Sequence, residues 1–163
     1  MIIKNVRRAA VALALVTFAA ASAQAQTATQ TVTFAVNAIN QISFAGAPSL
    51  TITTATAGSA PTSVTDASAT WAVTTNQTGA KITASIPSIM PAGLTLSSSL
   101  AAPAGATSAG FLALGTVAVD LVTVITKVAQ NAMVVTYKLD ATAAAGVVAS
   151  STRVVTYTIT GGT

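Results

Sequence analysis

Residues 69–86 read ATWAVTTNQTGAKITASI, and the fold turns on how this run is divided. Trp71 and Val73 occupy one face of an alternating segment. Ile82, Ala84 and Ile86 then resume a spacing of two after a polar interval containing glycine. A period of two is that of a strand with one buried face. Asn76 and Gly79 of the intervening NQTG suit a short hairpin, because both residue types accept the backbone angles of tight turns. The run therefore reads as two strands, 70–75 and 81–86, joined by a turn.

The same alternation recurs outward along the chain. Further strands are expected at 31–36, 41–44, 49–53, 94–100, 111–117, 133–139 and 153–160, separated by AGAP, AGSAP, MPAG and APAGATSAG. Gly- and Pro-rich punctuation between short Thr- and Val-rich runs is the pattern of an all-β sandwich or barrel. Two stretches are open. VDLVTVITKVAQNA places Leu121, Val122, Ile125, Val128 and Ala129 at helical spacing, yet its β-branched content favours an extended or irregular connection. DATAAAGVVASS is rich in alanine but interrupted by Gly146, and reads as a loop into the last strand. Trp71, Tyr137 and Tyr157 are the expected core anchors, meeting between two sheets. In the closing strand, Val155, Tyr157 and Ile159 share one side, which places that strand near the first.

The N-terminus has the form of a secretory leader. Lys4, Arg7 and Arg8 precede an apolar run over 9–21, and ASAQAQ satisfies the small-residue cleavage pattern at Ala23 and at Ala25. The apolar run is too short to span a bilayer, and no later segment is long and apolar enough. The expected organisation is a signal peptide, 1–25, cut after 23 or 25, and one domain, 26–163. The formal charge of +4 then misleads. Without the leader, four basic residues (Lys81, Lys127, Lys138 and Arg153) face three acidic ones (Asp66, Asp120 and Asp140), which leaves +1. That excludes a basic surface for nucleic acid. With 52% hydrophobic and 6% charged residues, the chain is outside the composition of disordered proteins.

Catalytic constellations fail on residue type. Histidine and cysteine are absent, which removes Ser-His-Asp triads, Cys-His pairs, thiolate zinc sites and disulfides alike. A pair of carboxylates for glycoside hydrolysis would have to come from three aspartates far apart in sequence, each beside turn residues that suit capping or solvation. No Asp-rich calcium loop or phosphate-binding glycine loop occurs. The expectation is a protein that is not an enzyme and uses neither cofactor nor metal. NQT at 76–78 fits a glycosylation sequon but fits a hairpin tip better.

The segment TVTFAV, 31–36, alternates Val32, Phe34 and Val36 with small or polar residues directly after the flexible QTATQ. It is the candidate assembly strand. Its apolar face either closes the chain's own domain, the default reading, or enters a neighbouring copy by strand addition.

The leader ending in ASAQAQ, the opening TVTFAV, the tryptophan of ATWAVTT and the terminal VVTYTIT together resemble small secreted immunoglobulin-like β-sandwich proteins of bacterial surfaces. The likeness is to fimbrial-subunit or surface-coat modules and, more distantly, to WxL-type domains. The pilin cysteine pair is missing, and Ala72 and Val73 follow Trp71, so there is no W-x-L tripeptide and no family residue carries over. The resemblance implies a single antiparallel Ig-like β-sandwich of about seven to nine strands. It also implies a structural protein of the cell surface or extracellular space, assembling with itself or meeting other surface proteins or glycans. The alternative is a monomeric extracellular module that binds a glycan or protein through loops such as APAGATSAG.

Overall fold

The computed structural model describes residues 25–163, so the leader expected over 1–25 lies, but for its last residue, outside the described residues. The chain divides into two units, 1–35 and 36–163. The described part of the first unit has no regular secondary structure. The second carries seven strands: β1 (Asn40–Ala45), β2 (Val64–Ser85), β3 (Leu94–Leu100), β4 (Thr107–Ser108), β5 (Leu112–Ala113), β6 (Val119–Ala141) and β7 (Thr156–Thr160). One 3-10 turn, Ala143–Ala145, follows β6. Among the described residues no helix is long and apolar enough to cross a membrane.

All strands belong to one antiparallel sheet ordered β1-β2-β6-β3-β5, with β7 added to β2 and β4 added to β6. Its axis is the long ribbon of β2 and β6, paired from Val64↔Leu139 to Ala84↔Val119. On the outer edge of β2, Phe44 of β1 stands opposite Trp71, and Tyr157 of β7 stands opposite Ala84. Those two positions on β2 would be roughly 43 Å apart in a straight strand. The rings of Phe44 and Tyr157 nevertheless stack with centroids 3.9 Å apart. The ribbon must therefore double over, bringing the β1, β3 and β5 end against the β7 and β4 end as two facing layers.

The bend lies at NQTG. Register between β2 and β6 slips between Thr75 and Thr78, between Thr78 and Ala80, and between Ala80 and Ile82, and Gly79 has φ 77°. Buried positions are odd-numbered before it (Ala69, Trp71, Val73 and Thr75) and even-numbered after it (Ala80, Ile82, Ala84 and Ile86). One extra residue in a bulge produces that change of phase. The expected hairpin between 70–75 and 81–86 is thus corrected to a single bent strand. Its two halves do not pair with each other, because β6 supplies the ladder for both.

On β6, the helical spacing at 121–129 resolves in favour of an extended chain. Val124, Lys127 and Ala132 have positive φ (60°, 42° and 53°), and each left-handed residue interrupts the period of two, so that apolar residues recur at intervals resembling a helix. Other expectations change in extent. The strand 94–100 forms as Leu94–Leu100, and 41–44 lies within β1. The strand at 111–117 shrinks to Leu112–Ala113, 153–160 shortens to Thr156–Thr160, and 133–139 is the distal part of β6. Residues 49–53 form no strand, the only pairing nearby being an Ala55↔Pro61 bridge. The strand expected over 31–36 is also absent: residues 25–39 carry no regular structure. A strand persists only through a ladder, and none is formed there.

The core between the layers is aliphatic around one indole: Trp71, Val73, Ile82, Ile86, Leu100, Leu121, Val122, Ile125 and Val135 are all essentially inaccessible. Gly46, just past β1, lets the backbone pass close against Ser68 and Ala69 of β2. Its φ is +107°, and a Cβ there would sit 2.8 Å from Ala69 Cα and 3.0 Å from the Ser68 carbonyl oxygen. Gly46→Ala is expected to destabilise the fold by about 1–3 kcal/mol, measured by urea denaturation. Gly58→Ala, at φ +84° with open space around it, isolates the cost of the backbone angle without a collision.

Candidate functional site: an open groove between the layers

Two adjoining grooves, of about 700 Å³ and about 640 Å³, share Leu50, Thr51, Met90, Leu139, Ser150 and Ser151. β1 contributes Ile42 and Phe44, β3 contributes Leu96, β6 contributes Tyr137 and Leu139, and β7 contributes Tyr157. The groove exists because β1 and β7 each pair only with β2. Their outer edges stay unpaired, leaving the side of the sandwich to the irregular segments 48–55 and 145–155.

Phe44, Tyr137 and Tyr157 line the groove, and Trp71 is buried in contact with Phe44. Phe44 stacks between Trp71, at 6.0 Å, and Tyr157, at 3.9 Å, and Trp71 Nε1 donates to the Ala101 carbonyl at 3.2 Å. The hydroxyls of Tyr137 and Tyr157 are hydrogen-bonded at 2.8 Å, and Ser98 Oγ lies 3.1 Å from the Tyr157 hydroxyl. Burial pushes both tyrosine hydroxyls above their ordinary pKa, Tyr157 far above. Both therefore remain neutral hydrogen-bonding groups throughout the physiological range. Trp71 is 1% exposed, Tyr137 9%, and Tyr157 is half-buried. The structure brings all three together through Phe44 and Ser98, neither of which stood out in the sequence.

The charged residues are mostly committed elsewhere. Asp66 accepts from the Ser68 amide at 2.7 Å and the Ser49 amide at 2.8 Å, and bonding to Ser68 and Ser49 lowers its pKa. Asp140 accepts from Ser63 and pairs with Lys138 at 3.0 Å, which lowers its pKa as well. Asp120 pairs with Lys81 at 3.0 Å. Among the described residues no three acidic groups gather where they could hold a metal ion. Arg153, on the groove wall, differs from the lysines of those pairs. Nη1 donates to the Thr152 carbonyl at 2.9 Å, and its buried Nε has no partner.

At the far end of β1, Asn76 is spent on the backbone. Its Oδ1 accepts from the Ile39 amide at 2.8 Å and its Nδ2 donates to the Asn37 carbonyl at 2.7 Å. This side chain continues the β1–β2 ladder past Asn40 and ends it, so the sequon asparagine has a local structural use. Val32, Phe34 and Val36, the candidate assembly residues, are 72%, 89% and 80% exposed. Comparison with protein-family models, curated proteins and solved structures finds no match for this chain.

Proposed function

We propose that this chain is a secreted, non-catalytic structural or surface protein, fimbrial-like in kind, whose copies associate by strand pairing through the segment 31–36. The observation that carries this reading is the exposure of three large apolar side chains, Val32, Phe34 and Val36, which alternate in sequence with small or polar residues. Leaving such side chains in water forgoes roughly 1.5–3 kcal/mol each of burial energy, so a partner surface that covers them gains correspondingly. The open outer edges of β1 and β7 offer unpaired backbone groups to an incoming strand. Residues 25–39 carry no charge, so no buried charge opposes pairing of the segment with a partner.

The test is the oligomeric state of the exported protein and of a Val32→Ser, Phe34→Ser, Val36→Ser variant, by light scattering and negative-stain microscopy. The intact protein is expected to form oligomers that a peptide of sequence 26–37 inhibits, and the variant to remain monomeric with an unchanged circular dichroism spectrum. A strictly monomeric intact protein at high concentration refutes assembly. The open groove favours a second reading, a monomeric module that binds a glycan or protein, and monomeric behaviour together with ligand retention on an array would support it.

A further inference from the structure

We propose that the groove beside Arg153 is a binding site for an aliphatic carboxylate, its hydrocarbon tail lying along Ile42, Leu50, Met90, Leu96 and Leu139 and its head group paired with the guanidinium. This rests on other observations than the assembly reading does, although β1 and β7, whose open edges would take an incoming strand, also line the groove.

The shape argument comes first. A groove of about 700 Å³ falls within the roughly 300–1,000 Å³ of small-molecule sites, which are typically apolar with few polar groups that fix orientation. The apolar wall is supplied by four strands and does not depend on loop placement alone. Its polar groups are the Tyr137 and Tyr157 hydroxyls, short Ser and Thr side chains, and Arg153.

The charge argument selects the head group. Arg153 is the sole charged residue lining either groove. Its Nε is buried without a hydrogen-bond partner, and no acidic side chain pairs with it among the described residues. The residue as a whole is only partly buried, and a planar carboxylate is the group that pairs with a guanidinium through charge-assisted bonds. The chain cannot supply that group from its own side chains. Its three acidic residues are Asp66, Asp120 and Asp140, and all are already bonded to Ser49 and Ser68, to Lys81, or to Ser63 and Lys138. The three aspartates of a second copy are engaged in the same way, and the proposed anion comes from a different molecule. An apolar wall with a single cation at its side fits a carboxylate with a single long apolar tail.

The probe is decanoate, with 1-decanol and acetate as the tail-only and head-only controls, titrated calorimetrically into the full-length exported protein and into Arg153→Gln and Arg153→Lys. Decanoate is expected to bind saturably at one site, and Arg153→Gln to weaken it about tenfold or more, the loss of a charge-assisted pair. Arg153→Lys should fall between them, 1-decanol should bind both proteins equally, and acetate should bind neither. No saturable decanoate binding, or equal decanoate affinity in Arg153→Gln, overturns the proposal. Should Arg153→Gln fail to fold by circular dichroism, methyl and aromatic NMR shifts of the intact protein decide. Decanoate-induced shifts centred on Leu96, Leu139 and Tyr157 support the site, and shifts elsewhere overturn it.

Discussion

Replacing Trp71 with alanine is expected to lower the unfolding free energy by about 3–5 kcal/mol, a large share of the about 5–15 kcal/mol that holds a typical domain folded. The indole is 1% exposed, it stacks at 6.0 Å on Phe44, and its Nε1 donates to Ala101. Alanine removes all three contributions. It leaves a void at a point where two layers meet, and strands fixed by ladders on both sides of β2 have little freedom to collapse into it. Urea denaturation should show a lower midpoint with an unchanged slope. Trp71→Phe separates the terms, keeping most of the apolar contact while leaving the Ala101 carbonyl without its donor, and its cost should be less than half. An unchanged midpoint for Trp71→Ala would remove Trp71 from the core.

The second large effect is alkaline. Tyr137 and Tyr157 both have pKa values raised above the ordinary 10, by burial first in each case. A raised folded pKa means that the unfolded chain releases its protons first as pH rises. The stabilising contribution is therefore complete below about pH 10 and is lost as pH climbs from there towards the folded values. Over that window each tyrosine still protonated in the folded state costs about 1.4 kcal/mol per pH unit. The pair together would cost up to about 2.7 kcal/mol per unit on the same arithmetic. Stability should be level from pH 7 to 9 and fall steeply above 10, with tyrosine ionisation and unfolding coinciding in ultraviolet absorbance. Tyr157→Phe should lose about 1 kcal/mol at neutral pH, from the bonds to Ser98 and Tyr137, and should halve the alkaline slope. A stability curve that stays level to pH 12 would show that both hydroxyls ionise freely in the folded protein.

The groove was only partly legible in the sequence. Tyr137 and Tyr157 stood out as rare large residues in alternating runs, and their faces were assigned from parity alone. Phe44 and Ser98 carried no such mark. Phe44 lies in a short run whose partner strand the sequence does not name, and serine at position 98 differs in no local respect from its neighbours Ser97 and Ser99. Arg153 looked like the polar end of a strand. Its position on an otherwise uncharged wall depends on where the segment 145–155 crosses the side of the sandwich.

By itself the sequence determined that the chain is all-β and antiparallel, because alternation and turn residues are local properties, and it determined that the chain brings no histidine or cysteine side chain to any site, because residue types either occur or do not. It also held the change of phase between Trp71 and Val73 and Ile82 and Ala84. What it could not contain is the meaning of that change. A hairpin turn and a bulge use the same residues, Asn76 and Gly79, and the same backbone freedom. Whether the flanking runs pair with each other or both pair with β6 depends on residues 119–141, whose partners on β2 lie 35 (Ala84↔Val119) to 75 (Val64↔Leu139) positions away along the chain. The tertiary structure alone decided that β2 is one bent strand, since ladder hydrogen bonds are made between segments and no segment encodes its partner. That bend folds the sheet onto itself, stacks Phe44 on Tyr157 and opens the groove beside Arg153.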